Sequence, residues 1–280
     1  MESEPGSKVL GYRGPLVRFE KKPQGRLGNL LFQLHFLRQV SLRTGASYHF
    51  PRFQGCTEFG EEPFRLRLGR LRRPGCDELL RGVLDPEDND GIINLIAACL
   101  AGGSDALLPG GLLGDFFFNF AFVSPVDVMR WRVSSAAHRQ AIGVHIRGGD
   151  FRQWDPSALL PVSYYEEAVH WCLATATEAE VSIFTDDHSL DTVYELKHRL
   201  GTRCRIRPRA SALVDLRLLS ESQFIVASPS TFAIWAGILG PQSRSIHCRE
   251  WVERKANQGE YFWRAVASGG SEHYRVAQLV

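Results

Sequence analysis

Polar residues collect at the ends of three apolar runs. Residues 141–147 read Ala-Ile-Gly-Val-His-Ile-Arg, and Gly148, Gly149 and Asp150 follow directly. Thr185, Asp186, Asp187 and His188 follow the run 181–184, and Ser228, Pro229, Ser230 and Thr231 follow the run 224–227. A guanidinium, carboxylates and hydroxyls in this company suit an anion site. Arg147 can neutralise a diphosphate with two parallel hydrogen bonds; equally, it can form a structural ion pair with Asp150. Ser230 and Thr231 can cap a helix whose N–H groups and positive dipole end attract phosphate, or can act as caps and nothing more. Asp186 or Asp187 can accept hydrogen bonds from a ribose or a base edge, or cap the next helix. His145, within an apolar strand, reads first as a satisfied core residue. Near the N-terminus, Gly25, Arg26, Leu27, Gly28 and Asn29 form a glycine-rich turn that matches neither the Rossmann fingerprint nor a P-loop. Glycines there let the backbone approach a ligand closely, and Asn29 can donate and accept at a helix start.

Such residues act together only if a scaffold brings them to one place. In the second half, strands are expected at 141–147, 181–185, 204–207, 224–227 and 244–248, rich in β-branched and apolar residues. Helices are expected between them at 163–174, opened by the capping box Ser163-x-x-Glu166, then at 189–200, stopped by Gly201, and at 211–222 and 231–239. Strands alternating with helices imply an α/β fold with a mostly parallel sheet covered on both faces. Ligands of such sheets bind beyond the carboxyl ends of the strands, where the polar residues above lie. In the first half, a strand is expected at 16–20. A helix follows the glycine turn, with Leu27, Leu30, Leu31, Leu34 and Leu37 at helical spacing and Gly45 at its end. Residues 52–92 read as loop and 114–123 as an aromatic-dense stretch, and a domain boundary is placed near residue 135.

Composition narrows the function classes. The 280 residues are 44% hydrophobic and 23% charged, as in ordinary globular proteins. Thirty-three basic residues face 31 acidic ones without a long basic run, which argues against a nucleic-acid partner. The six cysteines form no Cys-x-x-Cys pair, so a zinc site has little support, and buried free thiols in a reducing cytoplasm are expected. The first 15 residues lack the apolar core of a signal peptide. Residues 222–243 carry no charge, but the polar Ser-Pro-Ser-Thr turn inside them points to a buried strand and helix rather than a membrane span.

The ordered motifs resemble those of the α-1,2-fucosyltransferases of glycosyltransferase family 11, with features shared by the α-1,6- and protein-O-fucosyltransferases. Gly25 to Asn29 with Phe32 and Gln33 is similar to the opening G-R-L-G-N-x-x-F-Q. His145 to Phe151 resembles the H-x-R-R-G-D-Y segment. Leu160-Pro161-x-x-Tyr164-Tyr165 and Phe184-x-Asp186-Asp187 resemble the connecting motifs. Asp215-Leu216-x-Leu218-Leu219-Ser220 with Ser230-Thr231-Phe232 resembles the closing block. Residues 114–122 faintly resemble an aromatic stretch of the family. Gly148 stands where the family has a second arginine, and Pro229 and Ile234 stand where the closing block has Asn and Trp.

The resemblance implies a GT-B-like fold of two facing Rossmann-type domains. An acceptor-side domain would span 1–135 and a nucleotide-sugar domain 136–280, with GDP-fucose in the cleft between them. It implies that Arg147 grips the diphosphate with help from Ser230 and Thr231. Phe232 would lie near the nucleotide, Asp186 or Asp187 on the guanosine, Asn29 and Gly28 at the donor, and His145 in support. The expected reaction is inverting transfer to a glycan hydroxyl, galactose O2 first among candidates, with no metal and no cofactor beyond the donor. Asp150 and Asp115 are candidates for a general base. The alternatives are a transferase using another nucleotide sugar and a non-catalytic binding homologue. A cytoplasmic protein without a transmembrane segment, working on glycan acceptors and able to do so at a membrane face, completes the expectation.

Overall fold

The computed structural model describes residues 16–19, 25–50, 53, 59, 89–101, 106–108, 120, 123, 139–240, 242–271 and 274–280. Asp115, most of 52–92 and most of the aromatic stretch 114–123 lie outside the described residues. The chain divides into two compact units: Met1–Pro23 with Phe36–Gly114, and Gln24–His35 with Asp115–Val280. The sequence expectation has one boundary near residue 135, whereas the chain passes between these units three times.

In the first unit, β1 (Leu16–Phe19) pairs in parallel with β2 (Ser47–His49) and β3 (Ala106–Leu108), in the order β2-β1-β3. Helix α1 (Leu27–Thr44) starts in the second unit and ends in the first. Gly45 follows it at φ +70, the left-handed conformation that commonly ends helices. Helix α2 (Asn89–Ala101) buries Ile92, Ile93, Ile96 and Leu100, and Arg43 reaches Asp90 at 2.6 Å.

In the second unit the chain runs through β4 (Arg139–Ile146), the one-turn helix α3 (Phe151–Trp154), α4 (Val162–Thr175), β5 (Glu180–Thr185) and α5 (Asp191–Leu200). It continues through β6 (Cys204–Ile206), α6 (Ala212–Ser220), β7 (Ser222–Ala227), α7 (Thr231–Leu239) and β8 (Arg244–His247). Helices α8 (Arg249–Asn257) and α9 (Tyr261–Ala267) and strands β9 (Gly270–Ser271) and β10 (Tyr274–Leu279) close it. The sheet order is β6-β5-β4-β7-β8-β10-β9, parallel except for β9 against β10. The α/β class with a mostly parallel sheet therefore holds.

The central strands are apolar on both faces, as a doubly covered sheet requires: Ile142, Val144, Val181, Ile183, Phe224, Ile225 and Val226 are fully buried. Helix α7 buries every residue from 233 to 239. The uncharged stretch 222–243 is thus β7, a turn and a core helix, and no described helix is long and apolar enough to cross a membrane.

Two local expectations are corrected. Helix α4 begins one residue early, at Val162 after Pro161, and makes no side-chain cap, so the capping box does not form. With Pro161 at the N-cap, Ser163 falls at the second helical position, inside the first turn, where it does not act as the cap. Cys99 is disulfide-bonded, while Cys172, Cys204 and Cys248 are free thiols. Sequence spacing carries no information on which sulfurs approach within bonding distance in space. The cysteines therefore give no reason to expect a reducing cytoplasm.

Candidate functional site

The order of strands locates the site. From β4 the chain moves outward to β5 and β6, then crosses back to β7 on the other side of β4. The crevice outside the carboxyl ends of β4 and β7 is therefore a topological switch point, where α/β sheets bind ligands. Arg147 to Asp150 leave β4 there, and Ser228 to Thr231 leave β7. The two segments are joined directly, since the amide of Ser228 donates to the carbonyl of His145 at 3.1 Å.

Arg147 is 8% exposed. Its guanidinium meets Asp150 Oδ1 at 2.7 Å through Nη2 and Asp186 Oδ2 at 2.9 Å through Nη1. Its Cζ lies 5.1 Å from the centre of the Phe151 ring, a cation–π distance. Burial lowers its proton affinity and the nearby Asp186 raises it again; an arginine so placed stays a cation. Asp186 is the hub of the cluster. Burial opposes its ionisation, but the Gly148 amide at 2.9 Å and the Arg147 and Arg26 charges outweigh that and hold its pKa below the ordinary value. Of the two alternatives weighed for Arg147, the ion pair with Asp150 is formed.

Arg26 enters as a second guanidinium that sequence reasoning left unassigned. It reaches Asp186 Oδ2 at 2.5 Å and Asp150 Oδ2 at 3.5 Å, with half its side chain exposed. Its place in the glycine turn beside Gly25 was the available signal. Gly25 has φ +93, and a Cβ there would collide with the Asn29 side chain, so glycine is required on both counts.

Gly28 lets two helix starts meet. A Cβ on it would lie 2.6 Å from the Phe232 amide nitrogen and the Thr231 carbonyl carbon. The first turn of α1 thus packs on the first turn of α7. Thr231 donates its hydroxyl to Asn29 Oδ1 at 2.6 Å, and Ser230 caps α7 by accepting from the Phe232 amide at 3.2 Å. The hydroxyls of Ser230 and Thr231 are therefore engaged inside the protein, and what the site offers an anion is the pair of positive helix ends. Phe232 stacks on His145 with ring centroids 5.1 Å apart. His145 is buried, and burial together with the Arg147 charge lowers its pKa to about 3, so it is neutral at pH 7. Its Nδ1 lies 2.7 Å from Ser228 Oγ.

Asp187 makes different contacts. Its Oδ1 accepts from the Ser189 hydroxyl and amide at 2.6 and 3.0 Å, and Arg152 meets its Oδ2 at 3.1 Å. These bonds, the Ser189 hydroxyl foremost, lower its pKa to about 2. Asp187 thus caps its own turn and pairs with Arg152, whereas Asp186 pairs with Arg26 and Arg147. Asp150 is half exposed between Arg26 and Arg147.

Two further motif residues have places of their own. Burial raises the pKa of Asp215 on α6, opposed by the charges of Arg207 and His188, and His188 Nε2 lies 3.0 Å from the Arg207 carbonyl. Tyr164 holds strands together. Its hydroxyl donates to the carbonyls of Ala227 and Ile246 at 2.8 and 3.0 Å, tying the ends of β7 and β8 to each other. Among the described residues, no cluster of three or more His, Cys, Asp or Glu side chains is arranged to hold a metal ion.

Residues 128–255 match the family model described as Glycosyl transferase family 11, the family that the ordered motifs resemble. The class supported by this match is a glycosyltransferase. The solved structures similar to this one include POFUT1 in complex with GDP-fucose, at TM-score 0.45 and 12% identity, covering 84% of this chain and 97% of that one. The E. coli heptosyltransferase WaaC with ADP is similar at TM-score 0.44 and 10% identity, over 87% and 98% of the two chains. Likeness at this distance carries nothing about substrate. No curated protein matches the chain.

Proposed function

We propose that this protein is an inverting fucosyltransferase that moves fucose from GDP-fucose to a hydroxyl of a glycan, with galactose O2 the first acceptor position to test. The observation that carries the reading is Arg147, almost fully buried at the switch point and held by Asp186 and Asp150 beside the paired starts of α1 and α7. The family match over residues 128–255 supports the same reading.

In this reaction the acceptor oxygen attacks the anomeric carbon as the bond from that carbon to the diphosphate oxygen breaks. The acceptor proton leaves to a base or to solvent, and the electron pair of the broken bond goes to the β-phosphate. The transition state has oxocarbenium character, as in glycoside hydrolysis. Negative charge therefore grows on the leaving diphosphate, and donors already fixed in place are most effective there. Arg147 would meet that charge from the buried side, with the helix starts beside it. Arg26 would meet it from the exposed side, exchanging its solvent-accessible pair with Asp150, an interaction of little net strength, for phosphate. Asn29 and Gly28 set the position of the α1 start, and Phe232 with neutral His145 forms an aromatic wall. Asp150, which stays paired with Arg147 when Arg26 turns to phosphate, would be the candidate carboxylate for the acceptor proton.

The deciding measurement is GDP release from GDP-fucose, GDP-mannose and UDP-sugars with a galactoside panel, with EDTA present. Acceptor-stimulated release from GDP-fucose alone, insensitive to EDTA, is the expected outcome. GDP binding without turnover of any donor would make this a nucleotide-binding homologue instead, and absence of GDP binding would remove the reading.

A further inference from the structure

We propose that the exposed indole of Trp154 is the platform on which the acceptor galactoside rests, an inference that builds on the donor reading above. Trp154 is 62% exposed, a large apolar surface left in water. It closes the four-residue helix α3, whose other aromatic side chain, Phe151, is buried. Packing thus accounts for Phe151 and leaves the outer face of Trp154 uncovered.

Its position ties it to the candidate site. The Trp154 amide donates to the Asp150 carbonyl at 3.0 Å, so the indole stands one helical turn beyond the carboxylate that pairs with Arg147 and Arg26. Its ring lies 5.0 Å from the Phe151 ring at 52°, and Phe151 in turn carries the Arg147 guanidinium at 5.1 Å. A chain of aromatic contacts therefore runs from the buried arginine to the exposed indole.

The chemistry of this surface suits a sugar. The π-face of an indole is electron-rich, and the C–H groups on one face of a pyranose carry partial positive charge. In a β-galactoside the axial O4 leaves C3–H, C4–H and C5–H together on the opposite face, a continuous apolar patch for such a platform. A tryptophan also offers a wide contact at little cost in side-chain entropy. Two residues before it, Arg152 is held by Asp187 at 3.1 Å and remains half exposed.

Saturation-transfer NMR with methyl β-galactoside and lactose, in the presence of GDP, tests this on the full chain. Wild type is expected to bind both sugars with saturation strongest on the C3 to C5 protons. Trp154→Ala is expected to weaken binding about tenfold or more while keeping the wild-type melting curve and GDP affinity, and Trp154→Phe to restore part of it. Equal galactoside binding by wild type and Trp154→Ala would overturn the proposal, as would failure of wild type to bind either sugar. The donor reading is judged separately, on GDP affinity and GDP-fucose turnover, so failure of one is distinguishable from failure of the other.

Discussion

In the proposed reaction Arg147 would be fixed before the donor arrives, because Asp186 and Asp150 hold both of its terminal nitrogens while burial strips it of water. A donor fixed in this way keeps its geometry through the reaction, and removing one such group costs about 2.7–4 kcal/mol of transition-state stabilisation. Arg147→Ala is therefore expected to lower kcat for GDP-fucose transfer by roughly 10²–10³. Arg147→Lys should recover little, since a single ammonium cannot hold two carboxylates and a phosphate in one plane. Near-normal transfer by Arg147→Ala would remove this arginine from the mechanism. Arg26, half exposed, is expected to affect the KM for the donor more than kcat when replaced by Ala, read from the same assay.

At the scale of elements, the site depends on two helix starts lying against each other. Gly28→Ala puts a methyl group 2.6 Å from the backbone of Thr231 and Phe232, which cannot yield as a side-chain tip can. The expected result is separation of α1 from α7, a loss on the order of 1–3 kcal/mol by thermal or urea unfolding, and weaker GDP binding. Ser230→Ala removes the cap of α7, which commonly costs about 1 kcal/mol, and leaves Arg147 in place. A loss of stability greater than the loss of GDP affinity would mark Ser230 as a cap; the reverse would give its hydroxyl a direct part in binding. Gly148, where the resembling family has arginine, is closed off: a Cβ would lie 2.6 Å from Leu190 Cδ1 and 2.7 Å from Asp187 Cβ. Gly148→Arg is thus expected to lower the melting temperature without raising transfer.

For the whole molecule, two buried histidines set the response to acid. His145 on β4 and His247 on β8 both have pKa values lowered to about 3, burial being the main cause. The unfolded chain takes up a proton at each of them below about pH 6.5, whereas the folded chain does so only near pH 3. Their contribution to stability is therefore complete above about pH 6.5 and lost as pH falls toward 3, on the order of 1 kcal/mol per histidine per pH unit. Differential scanning between pH 7 and pH 4 should show a falling melting temperature. His247→Gln, which also loses the 2.6 Å contact with the Tyr274 hydroxyl, should start lower yet fall less steeply. An unchanged slope would mean that His247 is not neutral in the folded protein.

Alternating apolar runs and helical spacings were enough to set the β–α order of residues 141–247, because strands buried on both faces must be apolar throughout and helices must end where a residue such as Gly201 or Gly45 permits. The same sequence placed Arg147, Asp186 and Ser230 at strand ends, and the order of motifs named the family whose model matches residues 128–255. It did not separate Asp186 from Asp187, because adjacent residues differ only in the direction each side chain takes after β5. One turned toward Arg147 and the other into its own turn. Nor did it give Arg26 a role, join Cys99 in a disulfide, or find α8, α9 and β10. Those outcomes rest on which distant segments meet, and only the tertiary structure brings residue 26 to residue 186 and residue 28 to residue 232.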